Sequence, residues 1–174
     1  MLLYILLGLA VTIVIILVIA AAKPNTVRYE RSTVIHATPE RILPHLIDFR
    51  AWRPWSPWEK LDPDMERSYS GADRGVGAKY AWSGKKAGAG TMEVLAVDAD
   101  SVNIDLRFTR PFKNDCVVWF RCAPQGPDTK LTWTMDGPQI FMGKVMSVFM
   151  NMEKMIGKDF ETGLAVLKRE AEKP

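Results

Sequence analysis

The chain has 174 residues, 48% of them apolar, enough for one domain with a sizeable core. Its 23 Lys and Arg stand against 20 Asp and Glu, a formal charge of +3, and the basic residues are scattered without a recognition motif. That composition argues against a nucleic-acid-binding stripe, and no nucleic-acid partner is expected.

Residues 1–22, MLLYILLGLAVTIVIILVIAAA, contain no charged residue and no proline. At about 1.5 Å per residue a helix here reaches about 30 Å, the thickness of a bilayer core. Ala20, Ala21 and Ala22 could form a signal-peptidase site, but the run exceeds an ordinary h-region and no basic n-region precedes it. Residues 1–22 are therefore expected to be an uncleaved, single-pass transmembrane anchor. Lys23, Arg28 and Arg31 all follow it, which by the positive-inside tendency favours a cytoplasmic domain and leaves the periplasmic or extracytoplasmic side as the alternative.

A short linker, residues 23–26, leads into a domain expected over 27–172. Val27 to Ile35 is extended and β-branched. Thr38-Pro39-Glu40 supplies an N-cap, a proline at N1 and an early acidic residue, opening a helix with Ile42, Leu43, Leu46 and Ile47 on its apolar side, short or kinked at Pro44. RAWRPWSPWEK follows, with Trp52, Trp55 and Trp58 around Pro54 and Pro57. Each X-Pro step disfavours the α region at Arg53 and Ser56, and a polyproline-like path of period three would align the indoles along one edge. The stretch is expected to plug one end of the fold, with Trp58 at a rim. Glu59 to Asp64 reads as a solvated acidic loop.

Five segments then alternate with period two. Their expected inward faces are Val76, Ala78, Tyr80 and Trp82; Met92, Val94 and Ala96; Val102, Ile104, Leu106 and Phe108; Cys116, Val118, Phe120 and Cys122; and Leu131, Trp133 and Met135. Asn103, Asp105 and Arg107 fall on the opposite face. Half-buried antiparallel strands joined as a meander fit this pattern and its turn-rich connections. Cys116 and Cys122 lie on one face of one strand, roughly 20 Å apart at about 3.3 Å per residue. They are too far apart to pair. From Gln139 to Glu170 the period becomes helical, through Met142, Met146, Phe149, Ile156, Phe160, Leu164 and Leu167, and one long helix is expected. Its methionines suit gap-filling core packing or an adaptable cavity wall.

W-x-x-W-S-P-W, Tyr69-Ser70-Gly71, Gly75-Val76-Gly77-Ala78-x-Tyr80-x-Trp82, Gly88 and Gly90, Leu131-Thr132-Trp133 and Gly157-x-Asp159-Phe160-x-x-Gly163-Leu164 together resemble the membrane-anchored branch of the SRPBCC superfamily, also described as START-like or polyketide cyclase/dehydrase-like. The resemblance covers about residues 26–170. It implies an α+β helix-grip fold: a curved antiparallel sheet wrapped around a long C-terminal helix, with an apolar cavity between them. It implies no particular reaction.

The inward strand faces carry no carboxylate, histidine or lysine, so no catalytic residue is assigned. His36 and His45 sit in no metal-ligand spacing, and neither metal nor cofactor is expected. The expected ligand cavity is lined by Trp58, Tyr80, Trp82, Met92, Phe108, Phe120, Trp133, Met135, Met142, Met146 and Phe149. The leading expectation is a membrane-tethered, non-catalytic binding domain for an apolar small molecule or lipid. Two alternatives stand beside it: a cyclase or dehydratase using Tyr80 or an acidic residue near Trp58, and a protein-interaction module with a filled core. The sequence does not determine the oligomeric state.

Overall fold

A computed structural model describes residues 1–173. Helix α1, Leu2–Ala21, projects from the domain with every residue exposed except Ile16 and Ala20. β1, Thr26–Ile35, leads to α2, Pro39–Ile47, a 3-10 turn over Phe49–Trp52 and the short α3, Pro57–Leu61. Six strands follow: β2 Glu66–Gly71, β3 Ala78–Ser83, β4 Ala89–Val97, β5 Ser101–Arg110, β6 Asn114–Gln125 and β7 Asp128–Pro138. The chain closes with α4, Phe141–Phe149, and α5, Met152–Ala171.

The strands form one antiparallel sheet in the order β1-β7-β6-β5-β4-β3-β2. The expected meander runs unbroken from β3 to β7, β2 extends it at one edge, and β1 closes the far edge beside β7. This is the helix-grip layout, α+β, with the inward phases of β3 to β7 placed largely as the alternation predicts. Three local departures have physical causes. Val76 is 59% exposed, because it lies between Gly75 and Gly77, both at positive φ, in the turn before β3. Asn103 is buried rather than outward, and its amide donates to the Val118 carbonyl at 3.3 Å. It lies where the β4–β5 register slips between Val94 and Ala96, a bulge that alters which residues face each other.

The third departure is β2, over which no strand was expected. Its half-buried positions are Arg67 and Tyr69, between the exposed Glu66, Ser68 and Ser70, so its inner face carries one aromatic ring and one charge in place of an apolar run.

In place of the single long helix expected from Gln139 to Glu170 there are two, α4 and α5. The chain is extended at Met150 (φ −130°, ψ 138°), and the Asn151 side chain accepts the Lys154 N–H at 2.9 Å, starting a new helix with its own N-cap. α5 alone makes the grip. Gly157 lets it approach β1, where an added Cβ would run into the Arg31 guanidinium. Phe160, Leu164 and Leu167 face the core and are at most 2% exposed.

The tryptophan stretch does not follow a polyproline path. Arg53 is helical (φ −52°, ψ −44°) despite preceding Pro54, because the Trp55 and Ser56 N–H groups both bond the Trp52 carbonyl and turn the chain back. Ser56 is extended, as the following proline requires. Trp52 and Trp55 are buried, and their indole N–H groups donate to the Leu46 and His45 carbonyls at 3.1 and 3.2 Å. Those carbonyls belong to the last turn of α2, where no intrahelical donor remains for them.

Candidate ligand-binding site

The middle of the grip is a stack of aromatic rings. Trp133 lies parallel to Phe160 with centroids 4.0 Å apart and touches Trp55, Trp58 and Phe120 at 5.1–5.8 Å. Trp52 meets Trp55 at 4.7 Å and Phe120 at 5.8 Å. Gly163 leaves room for this packing, since a Cβ there would sit 3.0 Å from Trp133 and 3.1 Å from Pro57. The Trp133 indole N–H is buried with no acceptor, an unmatched donor inside an otherwise apolar centre.

Two open grooves lie at one end of the sheet. Strand pairing brings the start of β1 (Thr26) beside the end of β7 (Pro138), and the end of β5 (Phe108) beside the start of β6 (Asn114). This end faces α1. A groove of about 520 Å³ runs between Lys23 and Pro24, the first residues of β1, and the break between α4 and α5. Its apolar wall includes Val27, Val148 and Met152; its polar groups include Lys23, Arg28 and Glu153. A second groove, about 440 Å³, lies across the β5–β6 end and is lined by Phe108, Lys113, Asn114 and Ile140 among others. The 138–140 segment separates the two.

The residues expected to line a cavity therefore divide into three groups. Phe120 and Trp133 are core, 0% and 2% exposed, with Tyr80, Met92 and Met135 buried around them and Trp58 and Trp82 half-buried. Phe108 and Phe149 line the second and first grooves respectively. Met142, Met146 and Phe149 lie on α4, not on the helix that grips the sheet, and Met142 and Phe149 are exposed. Their placement changes because the helix breaks at Met150.

A second constellation was only half visible in sequence. The Tyr80 hydroxyl donates to Glu59 Oε1 at 2.8 Å, and Arg67 pairs with Glu59 Oε2 at 2.7 Å. Glu59 is therefore not part of a solvated loop: α3 presents it inward, and its side chain is 6% exposed. Asp62 is buried as well and accepts the Lys86 and Ala87 N–H groups at 2.7 and 3.2 Å, closing the β3–β4 turn. Those backbone bonds hold its carboxyl below the usual range. Burial, then the bond to Glu59, pushes the Tyr80 phenol far above its ordinary range. Arg67 also bonds the Met65 and Pro63 carbonyls, so the network is internally matched. Tyr80 and Glu59, the two acid or base candidates, thus occupy each other, and neither borders either groove. Burial also raises the Asp159 carboxyl on α5.

His36 pairs with Asp128 at 2.9 Å at the opposite end of the sheet. Among the described residues, no group of His, Cys, Asp and Glu is placed to hold a metal ion. Cys116 and Cys122 are both free and buried.

The solved structure of protein CV1439 from Chromobacterium violaceum is 21% identical, with a TM-score of 0.62 over 87% of this chain and 100% of that one. Ara h 8.0201 is 9% identical, with a TM-score of 0.56 over 84% and 97%. The di-domain ARO/CYC StfQ from the steffimycin biosynthetic pathway is 7% identical, with a TM-score of 0.61 over 85% of this chain and 51% of that one. At these identities the likeness establishes the fold. Among curated proteins, none matches the sequence closely enough to count as a relative. A family model described as polyketide cyclase/dehydrase and lipid transport matches residues 26–172, the whole grip from β1 to the end of α5. The chain belongs to the polyketide cyclase/dehydrase and lipid transport family, with an N-terminal apolar helix in front of the family domain.

Proposed function

We propose that the chain is a membrane-tethered, non-catalytic binding domain for an apolar or amphipathic small molecule, with a lipid as the best-fitting class. The observation that carries this reading is the position of the 520 Å³ groove, immediately beyond the C-terminal end of α1. Its volume falls within the roughly 300–1,000 Å³ range of small-molecule sites. An apolar wall with Lys23, Arg28 and Glu153 at its edge suits a molecule with an apolar body and a polar head. The family's lipid-transport members give the same ligand class a precedent.

The non-catalytic part of the reading rests on the Glu59, Arg67 and Tyr80 network. An acid or base must reach its substrate within hydrogen-bond distance, directly or through one water. Here both candidates are buried and bonded to each other, away from the grooves.

Native mass spectrometry of the full chain released from lipid nanodiscs tests binding. One retained molecule of lipid mass per chain is expected; an empty chain across neutral and anionic lipids contradicts it. Cyclase or dehydratase chemistry is the second reading, favoured by the direct Tyr80–Glu59 bond. A product formed by the wild-type chain and lost in Glu59→Gln, with ligand retention intact, would establish it.

A further inference from the structure

Helix α4 is amphipathic in the opposite sense to a helix packed on a soluble domain. Met142, Val145, Met146 and Phe149 fall at i, i+3, i+4 and i+7, a single apolar stripe. Met142 is 43% exposed, Phe149 is 68% exposed, and Val145 and Met146 are half-buried. The polar residues of the helix face the other way. Lys144 is buried, with its ammonium donating to Asn25 Oδ1 at 2.6 Å, and Ser147 lines the groove. Exposed Phe141 and Met150 extend the apolar surface at the two ends.

What α4 packs against explains why such a surface is tolerated. Its helical neighbour is α1, and the two residues of α1 that lose exposure are Ile16 and the fully buried Ala20. Both lie in the last two turns of α1, within about 7.5 Å of its C-terminal end at 1.5 Å per residue. Helices lying in a membrane interface bury their apolar faces roughly 5–10 Å into the headgroup and acyl boundary.

We propose that α4 is a second membrane contact, lying in the headgroup and acyl boundary beside α1 with its Met142 to Phe149 stripe in lipid. The occupant of the stripe is the bilayer itself, because the stripe continues the uncovered apolar surface of α1 and the packing of α4 against α1, whose losses of exposure fall at Ile16 and Ala20, holds it at interface depth. α4 and the break at Met150 and Asn151 then form the membrane-side wall of the groove, through Ser147, Val148, Phe149 and Met150. A ligand reaches the groove from the lipid without crossing water. This inference rests on the reading of α1 as a membrane span.

The test uses the full chain in phosphatidylcholine vesicles carrying brominated acyl chains. A cysteine-linked fluorophore is placed in turn at Met142→Cys, Phe149→Cys, Ile13→Cys within α1 and Lys130→Cys at the opposite end of the sheet. The native Cys116 and Cys122 are buried and do not compete for label. Probes at 142 and 149 are expected to be quenched by lipid bromine to more than half the extent at 13 and shielded from aqueous iodide. The probe at 130 should behave in the opposite way. If 13 is quenched by lipid while 142 and 149 follow 130, α4 lies in water and the proposal falls while the span stands. Shielding of 142 and 149 from both quenchers means that protein covers the stripe, which also overturns it. Iodide access at 13 removes the span, and this inference with it.

Discussion

The aromatic centre and the end of the sheet beside α1 are both built from large apolar residues and treat them in opposite ways. In the centre, Trp52, Trp55, Phe120, Trp133 and Phe160 are at most 5% exposed and contact one another. At the other end, Phe141, Met142, Phe149 and Met150 are all more than 40% exposed, beside a groove. The centre has every partner it needs within the chain, apart from one indole N–H. The end beside α1 has apolar surface without a protein partner, placed against a helix long and apolar enough to cross a membrane. The contrast separates apolar surface that the chain covers itself from apolar surface that it leaves open.

The contrast is broken most directly by truncation at the centre. Trp133→Ala should cost about 3–5 kcal/mol in unfolding free energy, as for other buried aromatics, measured by denaturant titration of the detergent-solubilised chain. A loss below 1 kcal/mol would mean that the ring is not core and that the centre is open. Arg67→Ala should cost a comparable amount, about 3–5 kcal/mol, because it leaves Glu59 buried without its cation. The Tyr80 bond remains but carries no charge to balance the carboxylate. The same change should leave ligand retention unaltered, which separates the network from the groove.

The buried thiols sharpen the comparison through pH. Burial pushes both Cys116 and Cys122 up to about 11. Their folded-state values are raised, so the native state holds protons that the unfolded chain gives up. The stabilisation is complete below the ordinary thiol value of about 8.5 and is lost as pH rises through the folded-state value. Thermal midpoints should therefore fall over that alkaline window, and iodoacetamide at pH 8 should modify the thiols only as the domain unfolds. Fast alkylation of the folded chain would show that solvent reaches the sheet interior. A smaller effect, about 1 kcal/mol, is expected from Asn151→Ala, which removes the cap that starts α5. Phe149→Ser, on the exposed stripe of α4, should change stability by no more than about 0.5 kcal/mol.

Much of the fold is legible in the sequence because a single physical signal, apolar periodicity, dominates most of it. Five strands alternate cleanly, and their turns are short. α1 is uniformly apolar, and the motifs from Trp52 to Leu164 carry the family resemblance. The misses share one cause: periodicity reports that a face exists but not what the face meets. β2 escapes because Arg67 occupies an inward position in place of an apolar residue, and its partner Glu59 lies on α3, outside the strand pattern. The α4–α5 break escapes because the stripe of α4 and the core face of α5 both repeat at helical spacing, so Met142 to Leu167 reads as one face although the two helices face different surroundings. Only the break at Met150, capped by Asn151, separates them, and that cap resembles an ordinary polar residue until its bond to Lys154 is seen. Trp58 is half-buried between Trp133 and Phe160 at the margin of the centre, while Trp52 and Trp55 are buried in the aromatic stack.

The central claim is that the groove beneath α1 holds the ligand. Native mass spectrometry of the full chain from nanodiscs, comparing the wild type with Val148→Trp, which fills the groove, and with Val76→Trp at the opposite end of the sheet, tests it most directly. The account predicts one retained lipid-mass molecule in the wild type and in Val76→Trp, and its loss in Val148→Trp. Equal retention in all three chains would place the ligand elsewhere and contradict the account.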